Sequence, residues 1–390
     1  MNWPAHEEAT RAWTPAGRVP REDRMVDEIK VSIPPKIASL DYAPTMEVIL
    51  ESEKATAKIA SLNNESGDQL AAVSGFLLRS EAVSSSKIEH VNAERNDFAK
   101  ATAGLKASKE AHSIVAATMA IQKMIERASD GAISLDSLLE AHRILMKDDT
   151  VDARYAGKIR DGQNWIGGSD YSPRGAVHIP PPYEMVPELL EDLLRYANRD
   201  DVPVMVQAAV AHAQFESIHP FTDGNGRIGR ALIGAILRRR NLTTGPVIPI
   251  ASAMVANVSR YFELVNNYRR GEVTEFVLYL CRSAVHAVES SNESIEALRA
   301  LPDEWRALAG ASRNSAADKI IGKLLDYPVI DSYQASIFAG VKENSVYYAL
   351  DQLVESGVLT LVSQSKRYRA WAAVDVLDEV DRLNGRLQNP

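Results

Sequence analysis

Twelve consecutive residues, His219 to Arg230, read His-Pro-Phe-Thr-Asp-Gly-Asn-Gly-Arg-Ile-Gly-Arg. They combine an imidazole, a carboxylate, an amide, three glycines and two guanidiniums, the side chains needed to hold and react a polyphosphate. An imidazole serves as a general base near neutral pH, and a carboxylate offers a hard oxygen to a divalent cation. Glycines let backbone N–H groups approach phosphate oxygens, and arginine pairs with those oxygens through two parallel bonds.

The setting decides which phosphate chemistry this is. Gly224-Asn225-Gly226-Arg227-Ile228-Gly229 satisfies the dinucleotide fingerprint G-x-G-x-x-G, yet the preceding segment is an alanine-rich amphipathic helix rather than a β-branched strand. Arg238-Arg239-Arg240 soon ends the following helix, so no βαβ unit forms, and no Gly-Lys-Ser/Thr follows to make a P-loop. A plain tight turn explains Gly224, Asn225 and Gly226 but not His219 ahead of them, nor Arg227 and Arg230 three apart on one helical face. A helix beginning near Gly226 aims its first N–H groups back at the loop as an anion site.

The 390 residues suffice for two or three domains, and 45% hydrophobic with 25% charged residues is ordinary for a soluble globular chain. A formal net charge of -8 argues against a general nucleic-acid coat. The single cysteine, Cys281, excludes an internal disulfide and a cysteine-based zinc cluster, and its apolar helical surroundings predict a buried thiol. The eight histidines lack close His-x-x-x-His spacing, so no structural metal site is expected. Met1–Asp23 has no apolar signal core and no run reaches membrane-helix length, which makes the expected location cytoplasmic, with no membrane partner.

Hydrophobic spacing places the motif inside a mainly α chain. Helices are predicted at about 44–63, from about 68 towards Ser84-Ser85-Ser86, at 106–128, at 135–146 behind the N-cap Ser134, at 184–196, 202–217, 252–268 and 272–299. Between 162 and 182, the pair Gly167-Gly168 and the turn Pro173-Arg174-Gly175 alternate with Trp165, Ile166, Val177 and Ile179, which predicts a short β-hairpin as nearly the only sheet in the first 300 residues. Residues 1–32 read as an arm, 33–105 as an N-terminal helical region, 106–300 as the core and 301–316 as a linker. Residues 317–390 then order as helix, helix, turn, helix and two strands, a winged helix-turn-helix with its wing tip at Ser363–Arg367.

Every fixed position of His219–Arg230 matches His-Pro-Phe-x-(Asp/Glu)-Gly-Asn-Gly-Arg-x-x-Arg, and the chain thereby resembles the Fic family over roughly 33–299. The fold implied is the Fic-type helical bundle with a small β-hairpin flap, followed by the C-terminal winged helix-turn-helix. The resemblance implies an adenylyltransferase that moves AMP from ATP to a Ser, Thr or Tyr hydroxyl of a protein and releases pyrophosphate. In it His219 is the general base, and Asp223 holds Mg²⁺. Asn225, with the Gly224 and Gly226 backbone, holds the α-phosphate, and Arg227 and Arg230 neutralise the β- and γ-phosphates. Pro220 shapes the loop entry and Phe221 anchors it. The hairpin 163–182 resembles the family's flap, which aligns a target segment by strand addition. Phosphoryl-type transfer needs positioning, charge neutralisation and a base, which these residues supply.

Ser85-Ser86-Lys87-Ile88-Glu89 resembles the family's inhibitory motif Ser/Thr-x-x-x-Glu-Gly/Asn, which implies that Glu89 pairs with Arg230 while Ser85 positions the helix. His90 departs from the small residue that ordinarily follows. The expected partners are a protein substrate, the chain itself among the candidates, and a second copy in a homodimer. DNA is weakly supported, because the expected recognition helix carries Asp351 and Glu355 and neither Arg nor Lys, although Lys366, Arg367 and Arg369 fall on the wing. Removal of AMP at the same site, another nucleotide transfer, and a DNA-binding regulator that only senses nucleotide remain as alternatives. Tyr261 is a candidate for the adenine pocket.

Overall fold

The computed structural model describes residues 3–15, 17–65, 70–245, 247–363 and 369–388, and only the backbone of 63–65 and 70. In chain order the elements are β1 (Glu7–Ala12), α1 (Arg21–Arg24), β2 (Glu28–Ile33), α2 (Met46–Glu65), α3 (Leu70–Ile88), α4 (Arg95–Thr102), α5 (Lys109–Ala128) and α6 (Leu135–Met146). There follow α7 (Val186–Ala197), α8 (Val204–Ile218), α9 (Asn225–Arg239), α10 (Ile250–Val255), α11 (Val258–Arg269) and α12 (Thr274–Ala309). The last are α13 (Ala316–Ile321), β3 (Val329–Asp331), α14 (Ser332–Ala339), α15 (Glu343–Glu355), β4 (Thr360–Leu361), β5 (Ala370–Ala372) and α16 (Val374–Gln388). They form two compact units, one of Met1–Thr56, Ala120–Leu242 and Val258–Arg282, the other of Ala57–Met119, Thr243–Asn257 and Ser283–Pro390.

The first unit is built around α8. Residues Met205 to Ile218 are all buried, so the helix expected to be amphipathic has no solvent-facing side and is enclosed all round. It lies against α9 at Gly229, where an added Cβ would stand 2.4 Å from Glu216 Oε1 and 3.0 Å from Phe215 Cδ1. A side chain at 229 would require the Glu216 carboxylate and the Phe215 ring to move. Helix α6 starts where Ser134 predicts: Ser137 N–H donates to Ser134 Oγ, and Ser134 N–H donates to Ser137 Oγ, each at 3.1 Å. Such a reciprocal cap stabilises a helix end by about 1 kcal/mol.

Two expectations need correction here. The arm expected over 1–32 contains an antiparallel ribbon, β1 with β2, registered from Glu7 opposite Ile33 to Ala12 opposite Glu28. Ile29 and Val31 are buried while Glu28 and Lys30 are exposed, a period-2 pattern too short to stand out beside the charged residues around it. The hairpin expected at 162–182 is narrower than drawn, with a single bridge between Ile166 and His178. Gly167, Gly168 and Gly175 all take left-handed φ, and Pro173 and Pro180 to Pro182 lack the N–H a longer ladder needs.

In the second unit, residues expected to form separate N-terminal and C-terminal domains pack together. Ser80 and Ser84 of α3 donate to Asn384 Oδ1 of α16 at 2.8 and 3.1 Å, and Ser84 also meets Ser252 of α10 at 2.9 Å. The serine run thus lies inside α3, which ends two residues later at Ile88, and the Ser84 hydroxyl bonds other helices rather than competing for its own backbone. Helix α12 continues through Pro302 to Ala309, so the expected linker is helical for most of its length. An interior proline costs about 3 kcal/mol. Burial of Ile295, Leu298 and Trp305, and a 2.8 Å bond from Trp305 Nε1 to Asp375, offset it. Over 316–372 the order is helix, strand, helix, helix, strand, strand, with the sheet ordered β3-β5-β4. The sequence reading did not include the terminal helix α16, and of the expected wing tip Ser363–Arg367 the residues from Gln364 on, with Lys366 and Arg367, lie outside the described residues.

Candidate functional site

The motif occupies the join between α8 and α9. Helix α8 ends at His219, whose φ of 49° and ψ of 62° lie in the left-handed region that non-glycine residues rarely enter. Its N–H still bonds Phe215 O at 2.9 Å, and its carbonyl accepts from Arg160 Nε at 2.9 Å. This turn swings the imidazole out of the buried helix to a half-exposed position. Phe221 is fully buried, stacked on His142 at 3.8 Å with 4° between the ring planes. Asn225 is buried and clasps the Phe221 backbone, accepting from its N–H and donating to its carbonyl, both at 2.8 Å. Asn225 therefore shapes the loop, while its second amide hydrogen remains for an oxygen ligand.

Gly224 caps α9 at φ 77°, and a Cβ there would stand 3.0 Å from Leu145 Cδ2 and 3.3 Å from Met146 Sδ. Conformation and space both demand glycine. The first i→i−4 bond of α9 runs from Ile228 N to Gly224 O, and the amides of Asn225 and Gly226 stand ahead of it at the positive end of the helix dipole. Asp223 is half exposed, with Oδ1 accepting from Gly224 N at 2.6 Å and Oδ2 3.7 Å from Arg227 Nη2. Arg227 and Arg230 are buried along α9. His219, Pro220, Phe221, Asp223, Gly224, Asn225, Gly226, Arg227 and Arg230 are thus gathered at one helix-loop-helix corner.

Magnesium suits a site of this kind, because it takes one or two protein carboxylates and completes its shell with water and substrate phosphates. Asp223 is such a carboxylate. Among the described residues no group of three or more His, Cys, Asp or Glu could hold an ion by itself.

Two positioning residues escaped the sequence reading. His142 on α6 accepts from Gly157 N at 2.9 Å through Nδ1 and donates to Asp223 O at 3.0 Å through Nε2, which fixes the neutral Nε2–H tautomer. Burial pushes its pKa down to about 4, against a smaller opposing pull from the Asp223 backbone bond and carboxylate. Its only signal was a histidine on the apolar stripe of Leu138, Ala141 and Leu145. Arg160 is buried, and besides His219 O it donates to Gly162 O at 2.9 Å, Pro181 O at 2.5 Å and Ile218 O at 3.4 Å. Its own N–H bonds Pro220 O at 2.9 Å. One guanidinium thus joins the motif loop to both limbs of the flap; burial lowers its pKa to about 10, leaving it charged at neutral pH. A lone arginine after Gly157-Lys158-Ile159 carries no spacing that announces this.

The flap is further tied by Asn164 Nδ2 to Phe221 O at 2.9 Å and by His178 Nε2 to Ser217 O at 3.0 Å. Burial drives the His178 pKa well below its usual value. Ser85 is buried in α3, Glu89 follows that helix, and both belong to the second unit. His90 adopts φ 60° and closes the helix, with Val91 N bonding Ser86 O at 3.0 Å, so histidine fills the left-handed position a glycine or asparagine would take. Tyr261 is 1% exposed with its hydroxyl 2.9 Å from His212 Nε2, which makes it a core residue rather than an adenine platform. Cys281 is buried as expected, and burial raises its pKa to about 11.

Residues 132–237 match the Fic/DOC family model. Protein adenylyltransferase fic-1 of Caenorhabditis briggsae is 32% identical over 161 residues, 40% of this chain and 28% of that protein. Protein adenylyltransferase Fic of Drosophila erecta is 30% identical over 151 residues, 38% of this chain and 27% of that protein. The chain thus spans less than a third of these relatives' lengths. A Fic family protein structure from Desulfovibrio desulfuricans aligns with a TM-score of 0.54 and 20% identity, covering 85% of this chain and 97% of that one, a likeness of fold.

Proposed function

We propose that this chain is a protein adenylyltransferase that transfers AMP from ATP to a Ser, Thr or Tyr hydroxyl of a protein. The observation that carries the reading is the complete His219–Arg230 signature at the α8–α9 corner, inside the segment the family model matches. In the transfer a bond forms between the target oxygen and the α-phosphorus while the bond to the β-phosphate oxygen breaks. The hydroxyl proton passes to His219, and pyrophosphate leaves. The Asn225 and Gly226 amides and the remaining Asn225 side-chain amide hydrogen hold phosphate oxygens, and Arg227 and Arg230 offset the charge of the polyphosphate. Mg²⁺, held by Asp223, would supply further charge neutralisation on the phosphates.

The same reading includes a brake, in which Glu89 competes with the γ-phosphate for Arg230. The intact Ser85–Glu89 motif and the left-handed helix end at His90 support it. The test is incubation of the wild-type and Glu89→Gly proteins with α-labelled and γ-labelled ATP. Label is expected from the α position only, and more strongly in the variant; His219→Ala added to the variant abolishes it. Equal incorporation by wild type and Glu89→Gly removes the brake. Label from the γ position, or none in either protein, removes the adenylyltransferase reading.

A further inference from the structure

The flap is held by a part of the chain that the family match does not cover. Residues 3–33 precede the matched segment, yet they touch the flap at three separate places. On the returning limb, Ser32 N of β2 donates to Ile179 O at 2.8 Å. At the tip, the Asp23 carboxylate, 2% exposed, accepts from the fully buried Ser172 hydroxyl at 2.6 Å and faces Arg174 Nε at 3.5 Å. Arg174 Nη1 also pairs with Glu22 at 2.9 Å. On the outgoing limb, Trp13 packs edge-to-face against Trp165 with ring centroids 5.6 Å apart, and Trp165 Nε1 donates to Ser169 O at 2.7 Å. A hairpin closed by a single bridge has little order of its own, since two-stranded hairpins are marginal even with full pairing.

We propose that the N-terminal ribbon is a brace that pre-orders the flap for an extended segment of the target protein, with Asp23 as its positioning residue. This rests on the adenylyltransferase reading for the nature of the target. Because β2 occupies the Ile179 side, strand addition goes to the limb bearing Asn164 and Trp165. A cavity of about 400 Å³ runs beside that limb, lined by Gln163, Asn164, Trp165, Gly168, Ser169 and Asp170 among others. Its polar walls and glycine backbone suit main-chain hydrogen bonding more than an apolar anchor. Ordering the flap before the target arrives removes an entropy cost that binding would otherwise carry. Asp23 fits the role because its carboxylate is buried and multiply hydrogen bonded; bonds from Ser172 and then Ser169 hold its pKa below the usual range.

Amide hydrogen exchange on the full-length chain tests the brace without any target. Asp23→Ala is expected to speed exchange at Ile166, Ser169 and Val177 about tenfold, the ratio that ~1.4 kcal/mol corresponds to, with amides of α8 and α9 unchanged. Ser172→Ala removes the other end of the same bond and should act alike, and the double variant should add little. Asp23→Asn keeps an acceptor for Ser172 and should restore most of the protection. Wild-type exchange in Asp23→Ala, or equal loosening of α8, overturns the brace. With Glu89→Gly protein as enzyme and the His219→Ala chain as acceptor, Asp23→Ala should raise the acceptor KM about tenfold while kcat and the ATP KM hold, the same ratio as above. An unchanged acceptor KM also overturns it. If the parent enzyme transfers no AMP at all, the proposed activity falls, and the exchange result alone still decides the brace.

Discussion

Histidine 142 offers the sharpest quantitative test of how the motif loop is held. Its ring joins the Gly157 amide to the Asp223 carbonyl and stacks on Phe221, and only the neutral Nε2–H tautomer can make both bonds. Protonation would set an N–H against the Gly157 N–H. The folded pKa of about 4 lies below the unfolded value of 6.5, so above pH 6.5 neither state holds a proton and the shift costs nothing. As pH falls below 6.5 the unfolded chain binds a proton that the folded chain refuses. Stability then declines by about 1.4 kcal/mol per pH unit, reaching about 3 kcal/mol near pH 4. His142→Gln removes this titration but at neutral pH forfeits the stack and part of the bonding, together about 2–4 kcal/mol. The urea midpoints of the two proteins should therefore be well separated at pH 7.5 and converge towards pH 4.5. His6, pushed by burial to about 3, and His178, also pushed down, titrate in both proteins, so their difference isolates His142. A direct check is NMR titration of the His142 ring. A ring that titrates near 6.5 in the folded protein, or a stability difference that ignores pH, refutes the argument.

Two further outcomes follow from the same geometry. Arg160→Met should lower AMP transfer at least about 100-fold, as misplacement of a positioned base does, while nucleotide binding changes little; Arg160→Lys should not rescue it, because a single ammonium cannot span four carbonyls. Normal turnover in either variant would show that the fork to His219, Ile218, Gly162 and Pro181 is dispensable. His90→Gly relieves a left-handed histidine, worth up to about 1 kcal/mol at the end of α3, and should slow exchange of the Val91 amide and reduce basal AMP incorporation. Increased incorporation would contradict a brake seated on that helix end.

How much of this was legible in residues depends on range. Local rules placed Ser134 at the start of α6, and the run from His219 to Arg230 identified its own loop because its special conformations fall on its own residues. Left-handed Gly224 and the Asn225 clasp on Phe221 act over four residues or fewer. The serines near the end of α3 signal the helix end at Ile88 to within two residues, but not that Asn384 and Ser252 bond Ser80 and Ser84 from remote helices. The linker expected over 301–316 is instead largely helical through Pro302, because the packing of Trp305 outweighs a local preference.

By itself, then, the sequence determined a mainly helical chain, the resemblance of its central segment to a known family, and the chemistry available between His219 and Arg230. Those follow from short-range spacing and from side-chain type. Only the tertiary structure decided that Arg160 and His142 fasten the loop, that the first thirty residues grip the flap, and that α3 and α16 share a unit. Each of these joins residues about 60 to 300 positions apart. A bond of that kind is chosen by what the folded chain brings within 3 Å, and neither composition nor period encodes it.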